Sequence, residues 1–156
     1  MTIILSIDPA SNKAATSNTG VVLIDNGKLL NHWCLPYGVK GFRNWYEKEF
    51  DKIERDKVIF EHFEARDNSK AKDNTVLETI AEIQRLIPCA EPFRNGGYQT
   101  DVPNELLKVL GLWKFGKSHH ADVRAAARLA LFYAMRNDVE DFVNGVGELL
   151  SEKIQG

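Results

Sequence analysis

Residues 3–9 read Ile-Ile-Leu-Ser-Ile-Asp-Pro, and residues 57–61 read Lys-Val-Ile-Phe-Glu. Each is a short apolar run with β-branched residues that stops on a carboxylate, Asp8 in one case and Glu61 in the other. Such a run reads as a strand covered on both faces, because a strand with one wet face alternates apolar and polar residues. Proline fixes φ and carries no N–H, so Asp8-Pro9 ends the first strand. If the two strands are parallel neighbours, both carboxylates leave the core at one edge of the sheet. The rest of the chain decides whether they are.

Working outward, a polar stretch rich in Asn, Ser, Thr and Ala fills residues 10–19. Gly20 to Ile24 is a second strand, Asp25-Asn26-Gly27 a hairpin turn, and Leu29 to Leu35 a third strand, because Asn-Gly tolerates positive φ. The first three strands therefore form an antiparallel meander. Phe42, Trp45, Tyr46, Phe50 and Ile53 recur with helical period and carry the chain across to the Glu61 strand. A helix over residues 74–87 has Val76, Ile80, Ile83 and Ile87 on one stripe and is stopped by Pro88, before a short fifth strand over residues 91–94. A brief helix follows Pro103. Gly111 to Lys117 is a basic, aromatic connector, and Ser118 can N-cap a helix running to about Met135. A last helix covers roughly Val139 to Lys153. The order βββ-α-β-α-β-α-α predicts an α/β fold: a five-stranded mixed sheet, three-strand meander plus parallel strands, with helices on both faces. The fourth strand arrives by a crossover, which allows it to lie parallel to the first. With no repeat and no dividing linker, residues 1–156 are expected to be one domain.

The composition fits this reading. Hydrophobic residues at 44% and charged residues at 27% exclude a disordered chain. No apolar run reaches the ~18–20 residues needed to span a bilayer, and the N-terminal residues lack signal-peptide features, so a cytoplasmic protein without a membrane partner is expected. Cys34 and Cys89 are far apart and form no zinc pattern, so both thiols are expected to pack as small apolar groups. A formal net charge of −2 gives no general attraction to nucleic acid. The distribution is uneven, however. Lys108, Lys114, Lys117, Arg124 and Arg128 face a single acid, Asp122, whereas residues 138–152 hold five acids and no base.

Two carboxylates on adjacent strand ends, ~4.8 Å apart by strand spacing, repel unless a cation lies between them or one keeps its proton. Oxygen ligands of this kind suit Mg²⁺ or Mn²⁺. Singly, Asp8 also reads as the start of an Asp-Pro turn and Glu61 as an exposed strand-end charge. His119 and Asp122 stand three residues apart at a helix start, hence on one face. Asp122 there also suits the helix dipole, and His119 also reads as a solvated polar residue. The conjunction of the three elements favours a metal site.

Three segments together resemble the RuvC-type Holliday junction resolvases. Ile3-Leu5-Ile7-Asp8-Pro9-Ala10-Ser11 with Thr19-Gly20-Val21-Val22 is similar to that family's opening strands. Val58-Ile59-Phe60-Glu61-His62-Phe63 is similar to the strand that ends in its catalytic glutamate. His119-His120-Ala121-Asp122-Val123-Arg124-Ala125-Ala126 is similar to its C-terminal helix. The order and spacing cover nearly the whole chain. The resemblance implies a single ribonuclease H-like nuclease domain, a homodimer, and two-metal hydrolysis of phosphodiester bonds in branched DNA such as four-way junctions. It carries Asp8, Glu61, His119 and Asp122 over as catalytic and metal-binding residues for two Mg²⁺ or Mn²⁺ ions. His119 is then a ligand or a water-holding group, with general base as the alternative. Size and divergence suit a phage-encoded member acting in the host cytoplasm; one sequence shows nothing of accessory branch-migration proteins. The chain departs from the pattern at Ala10, where the family has glycine, and in its longer loop over residues 12–18. Glu64 stands where the family often has an aromatic, with Phe63 one position short.

DNA contacts are expected from Lys114, Lys117 and Arg124 beside the His119/Asp122 helix, and from Arg66, Lys70 and Lys72 after the Glu61 strand. Trp113 and Phe115 are expected to pack under a loop, with base stacking the alternative. Two other functions share the sequence signals. A strand-Asp followed by a glycine hairpin also opens actin-like ATPases, although the glycine-rich phosphate loop is missing here. A non-cleaving DNA-binding module of the same fold is the other.

Overall fold

The first strand, β1 (Ile3–Asp8), lies at the centre of a five-stranded sheet of order β3-β2-β1-β4-β5. The computed structural model describes residues 2–10, 17–62, 75–94, 101–115 and 120–155. A central strand covered on both faces explains the unbroken apolar run: Ile4, Leu5 and Ile7 have no exposed surface. β2 (Thr19–Asp25) pairs antiparallel with β1, from Ile3 opposite Asp25 to Asp8 opposite Gly20. β3 (Lys28–Leu35) closes the meander. The turn between β2 and β3 holds Asn26 at φ 49° and Gly27 at φ 91°. Two consecutive positive φ values are what a two-residue hairpin of this hand requires, and Asn-Gly supplies them.

β4 (Lys57–Glu61) lies parallel to β1, with Ile4 opposite Lys57 and Ile7 opposite Phe60, and β5 (Glu91–Phe93) lies parallel to β4. Parallel neighbours need crossovers, and helices supply them. α1 (Gly38–Glu49) with a 3₁₀ turn (Phe50–Lys52) bridges β3 to β4, and α2 (Val76–Leu86) lies between β4 and β5. Then come α3 (Asn104–Val109), α4 (His120–Arg136) and α5 (Glu140–Gln155). The expected element order and both parallel pairings are present.

Alternation along the strands builds two cores. Leu5, Ile7, Val21, Leu23 and Phe60 meet Phe42, Trp45, Ile80 and Ile83 of α1 and α2. Ile4, Val22, Ile24 and Ile59 meet Val123, Ala126, Ala127 and Ala130 of α4. Each fully buried aliphatic side chain contributes about 1.5–3 kcal/mol relative to exposure. The first core includes the large aromatics Phe42, Trp45 and Phe50; in the second, alanines of α4 meet the strands, favouring helix and letting α4 lie close, with Phe115, Phe132, Tyr133 and Phe142 also packed in.

The meander carries one irregularity. The β2–β3 register shifts between Leu23 and Ile24, so Ile24 faces Leu29 but Leu23 faces Asn31. This bulge exchanges the faces of β3 along its length. Leu29 and Cys34, of opposite parity, therefore both join the α4 core, while Trp33 and Leu35 join the α1 core.

The expectation that both cysteines pack as apolar groups needs correction. Cys34 is partly buried against the α4 core, but Cys89 is exposed, and both are free thiols. Pro88 ends the helical run, and Cys89 falls in the surface turn that leads to β5. No helix among the described residues is long and apolar enough to cross a membrane.

Candidate active site

Asp8 and Glu61 each stand one residue beyond the last paired positions of β1 and β4, Ile7 and Phe60. Counting alternate residues places Asp8 on the side of Ile4, and Glu61 on the side of Ile59, which is the α4 face. The first turn of α4 supplies Asp122. What brings it there is Gly20, the partner of Asp8 on β2. A Cβ at position 20 would lie 2.2 Å from the Asp122 carbonyl oxygen and 2.6 Å from the Val123 nitrogen. Only a residue without a side chain lets the helix backbone rest on the strand there. Thr19 secures the adjacent turn, its hydroxyl accepting the Ala10 N–H at 3.1 Å. Ala10, which departs from the glycine of the resembling family, is itself buried.

The electrostatics agree with this convergence. The Asp8 carboxyl is held well above the ordinary aspartate range, first by desolvation, then by its hydrogen bond to Glu61, and then by the charges of Glu61 and Asp122. A hydrogen bond between two carboxyls needs a proton between them, and the raised Asp8 carboxyl is consistent with that pairing. The Cys34 thiol, opposite Gly20 on β3, is also raised, by burial and then by the Asp122 charge. Cys34 is a neighbour of the site that sequence reasoning missed. A plain hairpin count from Asn26-Gly27 puts Trp33 opposite Gly20, and only the bulge brings Cys34 there.

Of the other expected site residues, Arg124 and Lys114 are described, both beside Trp113. Arg124 is held in place: its Nε donates to the Trp113 carbonyl at 3.0 Å and its guanidinium stacks 3.7 Å from the Trp113 ring centroid. Lys108 covers the same ring at 4.8 Å. Phe115 is buried and meets His32 edge-on, so both connector aromatics are packed. Lys114 is exposed beside them. His119, Ser118, Lys117, Phe63, Arg66, Lys70 and Lys72 lie outside the described residues, as does most of the 12–18 loop.

A solved structure, T. thermophilus RuvC in complex with Holliday junction substrate, is similar to this chain with a TM-score of 0.63 at 11% sequence identity, covering 90% of this chain and 98% of that one. The fold is ribonuclease H-like. No protein-family model and no curated protein matches the sequence. In this ribonuclease H-like frame, three carboxylates from β1, β4 and α4 share one end of the sheet. Their donor set, all oxygen and mutually repulsive, is of the kind that hard divalent cations neutralise. Among the described residues no group of three or more His, Cys, Asp or Glu side chains is gathered closely enough to enclose an ion as it stands.

Proposed function

We propose that the chain is a divalent-metal-dependent endonuclease that cuts branched DNA, four-way junctions foremost, and that two copies act together to make paired nicks. The observation that carries this reading is the convergence of Asp8, Glu61 and Asp122 on one sheet end, with Gly20 letting α4 close over it. Likeness of fold to a resolvase that binds a Holliday junction supports it.

Asp8, Glu61 and Asp122 would hold Mg²⁺ or Mn²⁺, with His119 the fourth proposed ligand. Such ions, held there, would supply Lewis-acid activation of water and charge neutralisation for phosphodiester hydrolysis. The protein's own part is positional. The strands fix Asp8 and Glu61 through backbone pairing, and α4 fixes Asp122 through its seat on Gly20. Asp8 must release its proton to bind a cation, so loading is favoured as pH rises. The excess of carboxylate repels bare phosphate, and flanking cations such as Lys114 must hold the DNA near it.

The test is cleavage of a four-way junction, a fork and a linear duplex with Mg²⁺, Mn²⁺ or EDTA. Branched substrates are nicked only with metal, and Asp8→Asn, Glu61→Gln and Asp122→Asn abolish nicking while retaining junction binding. His119→Ala loses most of the Mg²⁺-supported activity. Wild-type cutting by all three carboxylate variants would remove the site assignment, and junction binding without cutting by the wild type would leave the non-cleaving module.

A further inference from the structure

At the same end of the sheet, on the face opposite α4, β3 and α1 enclose a cleft of about 400 Å³. Trp33, Tyr37, Lys40, Asn44 and Lys48 line it, with Glu49 as its acid. Its position comes from the strand register: Leu35 pairs with Thr19, and Cys34 with Gly20, which pairs with Asp8. The cleft mouth is thus two strands from Asp8, about 10 Å laterally at the usual strand spacing. Without the bulge, Trp33 would face α4, and the cleft would lose the indole that β3 contributes beside Trp45 of α1.

The walls are fixed. Trp33 packs edge-on against the buried Trp45, ring centroids 5.4 Å apart. Tyr37 is 56% exposed although it is a large aromatic, and its backbone is left-handed at φ 65°. Its carbonyl accepts the N–H groups of Lys40 and Gly41, at 3.1 and 3.3 Å, which locks the turn that presents the ring. Lys40, Asn44 and Lys48 succeed one another at four-residue spacing, hence in one exposed stripe along α1. Lys40 and Lys48 make no ion pair among the described residues, whereas Arg43 between them is tied to Glu82. Flat aromatic faces beside uncommitted ammonium groups are the chemistry of single-strand nucleic-acid binding. A cluster of carboxylates that repels phosphate needs such cations at its flank, and on the α4 side Arg124 is already engaged by Trp113.

We propose that this cleft is a second nucleic-acid contact, where Tyr37 and the exposed part of Trp33 stack on an unpaired base while Lys40 and Lys48 meet phosphates of the strand leaving the carboxylate end. This deepens the nuclease reading and rests on it for the direction of the strand. The experiment is binding in EDTA, which excludes cutting, of a labelled single strand and a labelled four-way junction over a range of salt. Lys40→Gln with Lys48→Gln weakens single-strand binding about 10-fold and lowers the slope of log K against log salt by about 1.4, since each phosphate contact contributes about 0.7. Tyr37→Ala weakens it roughly 10-fold as well, while Tyr37→Phe, which keeps the stack, binds like wild type. All these side chains are exposed, and circular dichroism confirms that each variant is folded. Unchanged affinity and slope in both the lysine and alanine variants overturn the proposal. So does a change in sedimenting mass with DNA affinity intact, which would make the cleft a contact between copies. Weakened binding by the cleft variants supports the proposal even if Asp8→Asn cuts like wild type, a result that removes only the carboxylate assignment.

Discussion

The two ends of the sheet are built on opposite principles. At the end where β1 starts, several polar groups are matched, although Asp25 Oδ1 opposite Ile3 is buried without a hydrogen-bond partner among the described residues. The Ile3 N–H donates to Asp56 at 2.7 Å, the Thr2 N–H to Asn26 at 2.9 Å, and Arg55 donates to the carbonyls of Ile53 and Phe50 while lying 3.6 Å over the Phe50 ring. At the end where β1 stops, carboxylates are collected, and the Asp8 carboxyl is held well above the usual range, first by burial and then by Glu61 and Asp122. The contrast separates residues that hold the sheet from residues that the sheet holds.

The largest expected effect comes from forcing the two principles into conflict at Gly20. Gly20→Val places a branched side chain where the backbone of Asp122 lies, so α4 must lift. Overpacking of this kind costs about 1–3 kcal/mol, more where backbone must move, read as a lower urea midpoint, and junction cutting disappears with it. At the matched end, Asp56→Ala leaves the Ile3 N–H without its acceptor and lowers stability by about 1–2 kcal/mol, with cutting per folded molecule unchanged. A loss of activity in that variant would show that the ends are not independent.

Asp8→Asn has the opposite sign. With its folded-state pKa raised, Asp8 binds more protons folded than unfolded, so its contribution falls as pH climbs above the unfolded aspartate value. In EDTA the asparagine variant is therefore a few degrees more thermostable than wild type at neutral pH, and the gain vanishes in acid. The smallest effect is expected at Glu91, which accepts from Lys57 at 2.8 Å and from Tyr133 at 2.7 Å. Its pKa is lowered, first by the Lys57 hydrogen bond, so its contribution is present above the unfolded glutamate value and is lost as pH falls through the folded one. Because Lys57 and Glu91 are nearly half exposed, Glu91→Gln costs under about 1 kcal/mol, and only above that window. Chemical denaturation at pH 4 and pH 7.5 reads both variants, and slopes of the same sign would contradict the opposed pKa shifts.

Much of this was legible because burial on both faces leaves a plain mark. IILSI and KVIF could hardly be anything but central strands, and the carboxylates that end them had to emerge together once a crossover made the strands parallel. Asn-Gly at 26–27 set the hairpin. The β3 bulge was not legible, because a one-residue slip leaves the apolar count unchanged while exchanging Cys34 and Trp33 between faces. Nor was the engagement of Arg124 by Trp113, since a basic residue beside a candidate site has the same letter whether it waits for phosphate or stacks on an indole. The Cys89 reading failed for a simpler reason: cysteine is apolar on average, and the residue after a helix-ending proline is on the surface.

β2 is held at both of its ends, by α4 seated on Gly20 and by α5, whose Val146 Cγ2 lies 2.7 Å from where a Cβ on Gly27 would be. The position opposite Asp8 and the hairpin end of the same strand are thus each seated against a helix, so α5, which contributes none of the three carboxylates, still bears on the strand that carries Gly20.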